Sequence, residues 1–240
     1  MRVDHPAMDP HSGSRLPILE IAESTPYISP SKVTLSDGRH ATIYAFFRSD
    51  NGHDIEVCTA AEREKVTVGD IDLLVDVLWK MLNLEIEGGK TYPQLNTLSF
   101  TEFKAYWFAS FTAVLILDSY SDGLDFSDIS ERCLGSFYIK PNYPGRCGHV
   151  CNAGFLVAEQ ARGQGVGKIM GKQYVTWAPQ LGFKSSIFNL VFETNIASQR
   201  IWDALGFEKV GRVKKAAFVK GYSEENGLVD AFIYGYDFTT

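Results

Sequence analysis

A glycine-rich loop carries the clearest chemical signal in the sequence. The segment Arg162-Gly163-Gln164-Gly165-Val166-Gly167-Lys168 lies between a predicted strand and a predicted helix. The first N–H groups of a helix have no partner within the helix and carry partial positive charge, which suits a pyrophosphate. Glycine lets the backbone bend and approach such a ligand closely. The pattern therefore predicts a pyrophosphate site formed by Arg162, Gly163, Gln164, Gly165, Val166 and Gly167.

Two common phosphate-binding loops do not fit this segment. A P-loop has four residues between its first glycine and a Gly-Lys pair, whereas three separate Gly163 from Gly167, and Ile169 stands where Ser or Thr is required. A dinucleotide loop reads G-x-G-x-x-G, and this loop reads G-x-G-x-G. A structural turn that binds no ligand is the alternative for the loop taken alone.

Three asparagines are candidate site residues. Asn152 and Asn189 lie in the apolar segments His149–Val157 and Ser185–Phe192, both predicted as strands. Burying amides without partners is costly, so these two are either satisfied core amides or parts of a site, and we favour the site. Asn195 precedes a predicted helix, where it is either an N-cap or a site residue.

The cysteines predict neither a metal site nor a disulfide framework. Cys147, His149 and Cys151 are closely spaced. A structural zinc site needs four ligands, usually in two close pairs, and the sequence has no second pair. Four cysteines in 240 residues do not form the dense pattern of a disulfide-stapled fold. We therefore expect reduced thiols and no metal.

Composition and charge restrict the class of protein. The chain is 45% hydrophobic and 22% charged, with a net charge of −6 and no run of Lys or Arg. This argues against binding to nucleic acid or an anionic membrane. Neither a signal peptide nor a membrane span is predicted, so we expect a cytoplasmic protein, with a mitochondrial location as the alternative. Residues 1–30 are predicted as an N-terminal extension and residues 31–240 as one domain.

The elements that position these residues follow from hydrophobic periodicity and turn signals. Strands are predicted at Lys32–Leu35, His40–Phe47, Phe111–Leu117, Leu134–Ile139, His149–Val157, Ser185–Phe192, Glu208–Val213 and Leu228–Tyr236. Helices are predicted from a cap at Asp70 to Leu84, from a cap at Thr101 to Phe108, from Gly165 to Trp177 and from Ala197 to Leu205. Residues 48–66 and 118–131 are predicted as loops. This order indicates an α/β fold.

Two motifs in combination resemble those of the GCN5-related N-acetyltransferases (GNAT). Arg162–Gly167 fits their Q/R-x-x-G-x-G/A loop. Asn195–Phe207 reads N-x-x-S-x-x-x-W-x-x-x-G-F and is similar to their N-x-x-[AS]-x-x-x-Y-x-x-x-G-F motif, with Trp202 in place of the tyrosine. The resemblance covers about residues 32–240. It implies a mixed, twisted sheet of about seven strands with helices on both faces, and acetyl-CoA as co-substrate.

Five longer strings closely resemble the fungal L-azetidine-2-carboxylate N-acetyltransferases: Asn83–Glu87, Gly89–Leu95, Phe137–Tyr143, Cys151–Val157 and Ser186–Phe192. This resemblance implies a small imino acid or proline-pathway metabolite as substrate, and a homodimer. It associates Asn152 and the backbone of Phe155 with the substrate carboxylate, and Asn189 and Asn195 with the thioester and the acceptor nitrogen. It also implies that the cofactor is bound by the backbone of Leu156 and Val157 and contacted by Trp202.

The chemistry departs from the usual GNAT pattern in two respects. The segment His149–Val157 contains no carboxylate to act as base. Trp202 replaces the tyrosine acid, and an indole N–H donates a hydrogen bond but no proton. We therefore expect ordered water to deprotonate the amine, with Glu193 as an alternative base. Acetylation of a peptide or protein amine, and acyl-CoA binding without turnover, are the alternative functions.

Overall fold

The computed structural model describes residues 26–49, 54–119, 124–126, 128–222 and 227–239. Most of the predicted N-terminal extension therefore lies outside the described residues. Within them the chain forms one mixed sheet of ten strands, in the order β4-β3-β2-β5-β6-β7-β8-β10-β9, with β1 pairing on β2. The strands are β1 (Ser31–Thr34), β2 (His40–Arg48), β3 (Ile55–Cys58), β4 (Arg63–Lys65), β5 (Phe111–Leu117), β6 (Cys133–Pro141), β7 (Val150–Val157), β8 (Ser185–Phe192), β9 (Glu208–Phe218) and β10 (Leu228–Asp237).

Helices cover both faces of the sheet, as predicted. They are α1 (Val68–Gly88), α2 (Phe100–Trp107), α3 (Ile129–Arg132), α4 (Val166–Gln180) and α5 (Ile196–Ala204). Buried side chains of α1, α2 and α3 form one core with the sheet, and those of α4 and α5 contribute to a second core on the opposite face. In the described part of the chain, no helix combines the length and apolarity that crossing a membrane requires.

The sheet has more strands than the seven or so expected. The prediction of a loop over residues 48–66 is wrong, because this segment supplies β3 and β4. Its Ile55, Val57 and Cys58 are buried, although short strands with charged neighbours give little periodic signal. Strand β9 also continues to Phe218, five residues past the predicted end at Val213.

The first two helices begin earlier than predicted. Thr67 caps α1 by accepting a hydrogen bond from the Asp70 N–H, so Asp70 lies in the first turn. Ser99, not Thr101, caps α2, and it forms a reciprocal capping box with Glu102. Both errors have one cause: several adjacent residue types can cap a helix, and only the backbone conformation selects one.

The only parallel pair in the described sheet is β7 with β8, and it is short. Register partners are Val150 with Ser185 and Cys151 with Ser186, and none follows. Both strands continue for six more residues, to Val157 and Phe192. They therefore diverge after Cys151 and Ser186. We call the opening between the two diverging strands the fork.

Candidate active site

One edge of β7 is open to the fork, and alternation along the strand defines which backbone groups face it. The N–H of Asn142 donates to the Val150 carbonyl at 2.8 Å, so the backbone groups of Val150 point toward β6. In an antiparallel ladder, this direction alternates from residue to residue. The backbone groups of Ala153, Phe155 and Val157 therefore point away from β6, into the fork.

The predicted cofactor contacts of β7 are partly revised by this geometry. Leu156 lies an even number of residues after Val150 along β7, so its backbone groups also point toward β6 and not into the fork. Its side chain is buried against α1 and α2. Val157 keeps the open backbone groups that a pantetheine arm needs. The prediction for Val157 thus fits the geometry, and the prediction for the backbone of Leu156 does not.

Tyr92 reaches into the fork and was not identified from the sequence as a site residue. Its hydroxyl donates to the Phe155 carbonyl at 2.9 Å. Burial raises the Tyr92 pKa well above its ordinary value, with Tyr106 and Glu85 adding to the effect, so this hydroxyl keeps its proton. The Phe155 N–H, on the same open edge, remains directed into the fork. The Phe155 ring packs against the core that α4 and α5 form with the sheet, and its centroid lies 5.0 Å from that of the Trp202 ring.

Three asparagine side chains meet where the fork begins, and we call this group the asparagine junction. Asn152 Nδ2 donates to Asn142 Oδ1 at 2.9 Å, and Asn189 Nδ2 donates to the same oxygen at 2.6 Å. Asn142 Nδ2 donates in turn to Asn189 Oδ1 at 3.1 Å. The structure thus brings the two predicted asparagines together through a third, Asn142, which sequence reasoning missed.

A β-bulge sets the position of Asn189. Between Phe188 and Val191, two residues of β8 face a single residue of β10. A bulge re-aims side chains locally. Phe188 and Val191 both enter the core beneath α4, while Asn189 and the adjacent Leu190 are exposed. Asn189 is therefore free to reach Asn142, 47 residues earlier in the chain.

Asn195 lies apart from the junction and caps a helix. Its side-chain oxygen accepts the Ser198 N–H at 3.2 Å, which makes it the N-cap of α5. It also borders an open cavity of about 420 Å³ together with Thr194, whose Oγ1 is buried without a hydrogen-bond partner. The other residues that line this cavity are Lys90, Thr91, Ile196, Ala197, Val219, Lys220, Gly221 and Tyr222. The cap prediction is confirmed, and Asn195 still has an amide N–H₂ at the cavity.

The glycine loop has the geometry of an anion site. Gly165 is the N-cap of α4 with φ 80°, and no side chain caps the first N–H groups of the helix. Gly163 also has a positive φ of 76°, and a Cβ at either glycine would meet open space. Gly167 differs, since a Cβ there would lie 2.8 Å from Ile201 Cδ1 of α5. The first two glycines thus shape the loop, and the third permits close helix packing.

Two arginines lie at this loop. The Arg162 guanidinium donates to Glu85 Oε1, and its side chain is 55% exposed. Arg39 Nη2 donates to Gln164 Oε1 at 3.0 Å, from a hairpin turn 125 residues away. A guanidinium has five N–H donors, so each arginine retains donors for a phosphate. Arg39 is a candidate that sequence reasoning missed, because nothing local links it to the loop.

Trp202 is part of the core between the fork and α4. It is 5% exposed and packs on Phe188 at 4.5 Å between ring centroids. Gly171 of α4 lets α5 pack closely beside it, because a Cβ there would lie 2.7 Å from Leu205 Cδ1. The indole thus forms a wall behind Phe155 and cannot supply a proton at neutral pH.

Glu193, the alternative base, is held by other groups. Its Oε1 accepts the Asp230 N–H at 2.9 Å, and its Oε2 lies 3.7 Å from the Arg212 guanidinium. Both carboxylate oxygens of Glu193 are thus engaged by groups of β9 and β10. Within the described ranges, no group of three metal-ligating side chains occurs. Cys147 is exposed, and Cys151 is buried.

The site's features fit acetyl-CoA: a fork with an open strand edge leads to a helix N-terminus with uncapped N–H groups. The model of the acetyltransferase (GNAT) family matches residues 90–207. N-acetyltransferase aca1 of Schizosaccharomyces pombe is 40% identical over 188 residues, which cover 75% of this chain and 88% of that protein. Protein SPT10 of Saccharomyces cerevisiae is 32% identical over 205 residues, which cover 69% of this chain but only 31% of that protein.

Solved structures show the same fold. A GCN5-related N-acetyltransferase from Kribbella flavida superposes with a TM-score of 0.58 at 26% identity, covering 72% of this chain and 94% of that one. The structure of yncA from Salmonella typhimurium with its cofactor acetyl-CoA superposes with a TM-score of 0.57 at 13% identity, covering 70% and 90%. The α/β prediction with a mixed sheet is therefore confirmed.

Proposed function

Because the chain belongs to the acetyltransferase (GNAT) family and uses acetyl-CoA, we propose that it acetylates a small cyclic imino acid, L-azetidine-2-carboxylate or a related proline-pathway metabolite. The asparagine junction is the observation that carries this proposal. It places several amide donors and acceptors, and no carboxylate, at the start of the fork. Such a group suits a compact ligand that carries its own carboxylate.

Acetyl-CoA supplies the activated acetyl group, and the chain binds it along the fork. The uncapped N–H groups of α4 receive the pyrophosphate, with Gly163 and Gly165 shaping the loop. Arg162 and Arg39 add charge-assisted hydrogen bonds. Val157 pairs with the pantetheine arm through its open backbone groups. The Phe155 N–H, directed into the same fork, is left for the carboxylate of the acceptor.

The acceptor amine must lose a proton before it can attack. If its pKa is near that of lysine, about 10.4, the neutral form costs roughly 4–5 kcal/mol at pH 7. Asn152 and Asn189 cannot accept this proton, because an amide is not a base. We assign them to orienting the substrate and a water that takes the proton to solvent. Asn195 lies apart from these two asparagines, beside the 420 Å³ cavity, and we assign it to the same orienting role from there.

The leaving thiolate receives its proton from solvent in this proposal. Trp202 occupies the position of the usual tyrosine acid and offers only an N–H donor. The hydroxyl of Tyr92 is engaged with the Phe155 carbonyl. Its raised pKa makes it a poor proton donor and leaves no tyrosinate to act as a base at neutral pH. Neither aromatic residue is assigned acid–base chemistry.

Thiol release from acetyl-CoA, with and without L-azetidine-2-carboxylate, tests the proposed substrate. We expect the imino acid to accelerate thiol release and to yield an N-acetylated product identified by mass spectrometry. Lysine-containing peptides should give little turnover. Efficient acetylation of such peptides without any response to free imino acids would assign the enzyme to peptide or protein amines instead.

We also propose that the enzyme is a homodimer in the cytoplasm, as the resemblance implies. The edge strand β9 and its neighbour β10 expose several apolar side chains, among them Phe218 at 73% and Val210 at 56%. An exposed edge strand with apolar side chains favours association. Light scattering of the purified chain should give twice the mass of 26.7 kDa, and a monomer at micromolar concentration would refute the dimer.

A further inference from the structure

A lysine on β6 is surrounded by aromatic rings on the sheet face that carries α1 and α2. Lys140 Nζ lies 4.2 Å from the ring centroid of Tyr106 and 4.7 Å from that of Tyr138. The two tyrosine hydroxyls hydrogen-bond to each other at 2.9 Å. Ring faces attract an ammonium group, so the two tyrosine rings help to hold Lys140 Nζ at this position.

The charge of Lys140 has no carboxylate partner among the described residues. None of the ion pairs in that part of the chain includes it. Burial lowers its pKa to about 8, and no nearby acidic group acts against this shift. A partly buried cation without an anion is costly, and a bound anion would relieve that cost.

The register of the sheet places Lys140 beside the asparagine junction. Lys140 and Asn152 are direct partners across β6 and β7, so their side chains lie on one face of the sheet. Directly opposite residues of an antiparallel pair have Cβ atoms roughly 5 Å apart. Asn152 in turn donates to Asn142. Lys140 thus adds a positive charge to a group that otherwise offers only neutral amides.

We propose that the ammonium group of Lys140 binds the carboxylate of the acceptor, with Asn152 as its neighbouring donor. This inference rests on the proposed function and deepens it, because it makes an α-carboxylate a requirement for the acceptor. Lys140 is then a specificity-determining residue that touches the substrate away from the reacting nitrogen. Its contact is made in both the ground state and the transition state, so its loss changes KM more than kcat.

Substrate and enzyme are varied together in the test. Steady-state kinetics with L-azetidine-2-carboxylate and with its uncharged carboxamide are measured for the parent enzyme, Lys140→Met and Lys140→Arg. The parent should prefer the carboxylate. Lys140→Met should raise the KM for the carboxylate roughly 10- to 100-fold, the range for losing a hydrogen bond to a charged group, and should leave the carboxamide unaffected. Lys140→Arg should retain part of the preference.

Lys209→Met is the matched control, because Lys209 Nζ also lies over aromatic rings, 4.7 Å from Phe232, but on β9 away from the fork. It should keep the full preference for the carboxylate. Thermal melting and acetyl-CoA titration establish that each variant is folded.

The possible outcomes separate the two proposals. A parent enzyme that acetylates neither compound would overturn the proposed function itself. A parent that prefers the carboxylate, with a Lys140→Met variant that keeps this preference, would overturn only the assignment of Lys140. A collapse of kcat at unchanged KM in Lys140→Met would also overturn it and would assign Lys140 to proton transfer.

Discussion

The side-chain oxygen of Asn142 accepts hydrogen bonds from both Asn152 and Asn189. These donors come from two strands that no longer pair with each other at this point. Asn142 follows Pro141 at the end of β6. It belongs to the family-like string Phe137–Tyr143, but no local feature marks it as a site residue. Only the register of β6 on β7, and the bulge in β8, bring the three amides together.

We predict that Asn142→Ala lowers kcat/KM for the acceptor about 10- to 100-fold, because the three hydrogen bonds that orient Asn152 and Asn189 are lost together. Acetyl-CoA affinity should stay near that of the parent, since Asn142 is remote from the glycine loop. Combining Asn142→Ala with Asn189→Ala should cost little more than Asn189→Ala alone, because the residues act as one unit. Fully additive losses in this double-mutant cycle would mean that the junction does not act as a unit.

At the scale of elements, α4 holds the two strands together where the fork begins. The Tyr174 hydroxyl donates to Ser186 Oγ at 2.6 Å and lies 3.0 Å from Cys151 Sγ. Cys151 and Ser186 are the last register partners of β7 and β8. Burial raises the pKa of the Cys151 thiol to about 12, so it remains protonated. Tyr174 of α4 thus bridges the two strands at their last register pair.

Tyr174→Phe should lower the free energy of unfolding by about 1–3 kcal/mol, because buried polar groups of both strands lose a partner. Tyr236→Phe is the control, since its hydroxyl makes no hydrogen bond to a described residue, and it should change stability by less than about 0.5 kcal/mol. Urea denaturation measures both. Equal stability of the two variants would show that the buried hydroxyl does not hold the fork.

The start of α4 determines cofactor binding in our proposal. Gly165→Glu should abolish acetyl-CoA binding, because it places a negative charge and bulk beside the pyrophosphate. Gly165→Asn is the matched control, since asparagine tolerates the left-handed conformation that φ 80° requires. Calorimetric titration should detect binding in the asparagine variant only. Unchanged affinity in a folded Gly165→Glu protein would contradict the pyrophosphate assignment.

At the scale of the whole molecule, the fork divides the sheet. Strands β1–β7 and strands β8–β10 are joined within the described sheet by the two register pairs of β7 and β8. Helix α4 spans this division, because it packs on β6 and β7 and also on α5, which follows β8. In our proposal, acetyl-CoA bound along the fork would contact both parts and take the place of the strand pairing that is missing there.

Acetyl-CoA should therefore stabilise the whole fold. At a concentration 100 times its Kd, a ligand specific for the native state adds about 2.7 kcal/mol. For a chain of this size, this corresponds to a Tm increase of roughly 5–10 °C. Scanning calorimetry should detect the increase in the parent and not in Gly165→Glu. Hydrogen exchange should slow at residues 153–157 of β7, and protection confined to other strands would place the ligand elsewhere.

The sequence by itself determined the features that depend on neighbouring residues. The glycine loop was recognisable because uncapped N–H groups and positive φ values are properties of a few consecutive residues. The hydrophobic periodicity of α1 and the paired motifs of the family likewise follow from spacing along the chain. These signals were sufficient to predict the α/β sheet, the helix that begins at Gly165 and the use of acetyl-CoA.

Tertiary structure decided what depends on residues distant in the chain. Asn142 meets Asn189 across 47 positions, Tyr92 meets the Phe155 carbonyl across 63, and Arg39 meets Gln164 across 125. Such contacts depend on strand register and on how the loops between strands and helices fold back over the sheet, and neither is encoded in neighbouring residues. The divergence of β7 from β8 also cannot be predicted from either strand's sequence, because both strands remain largely apolar beyond their last register pair, Cys151 with Ser186.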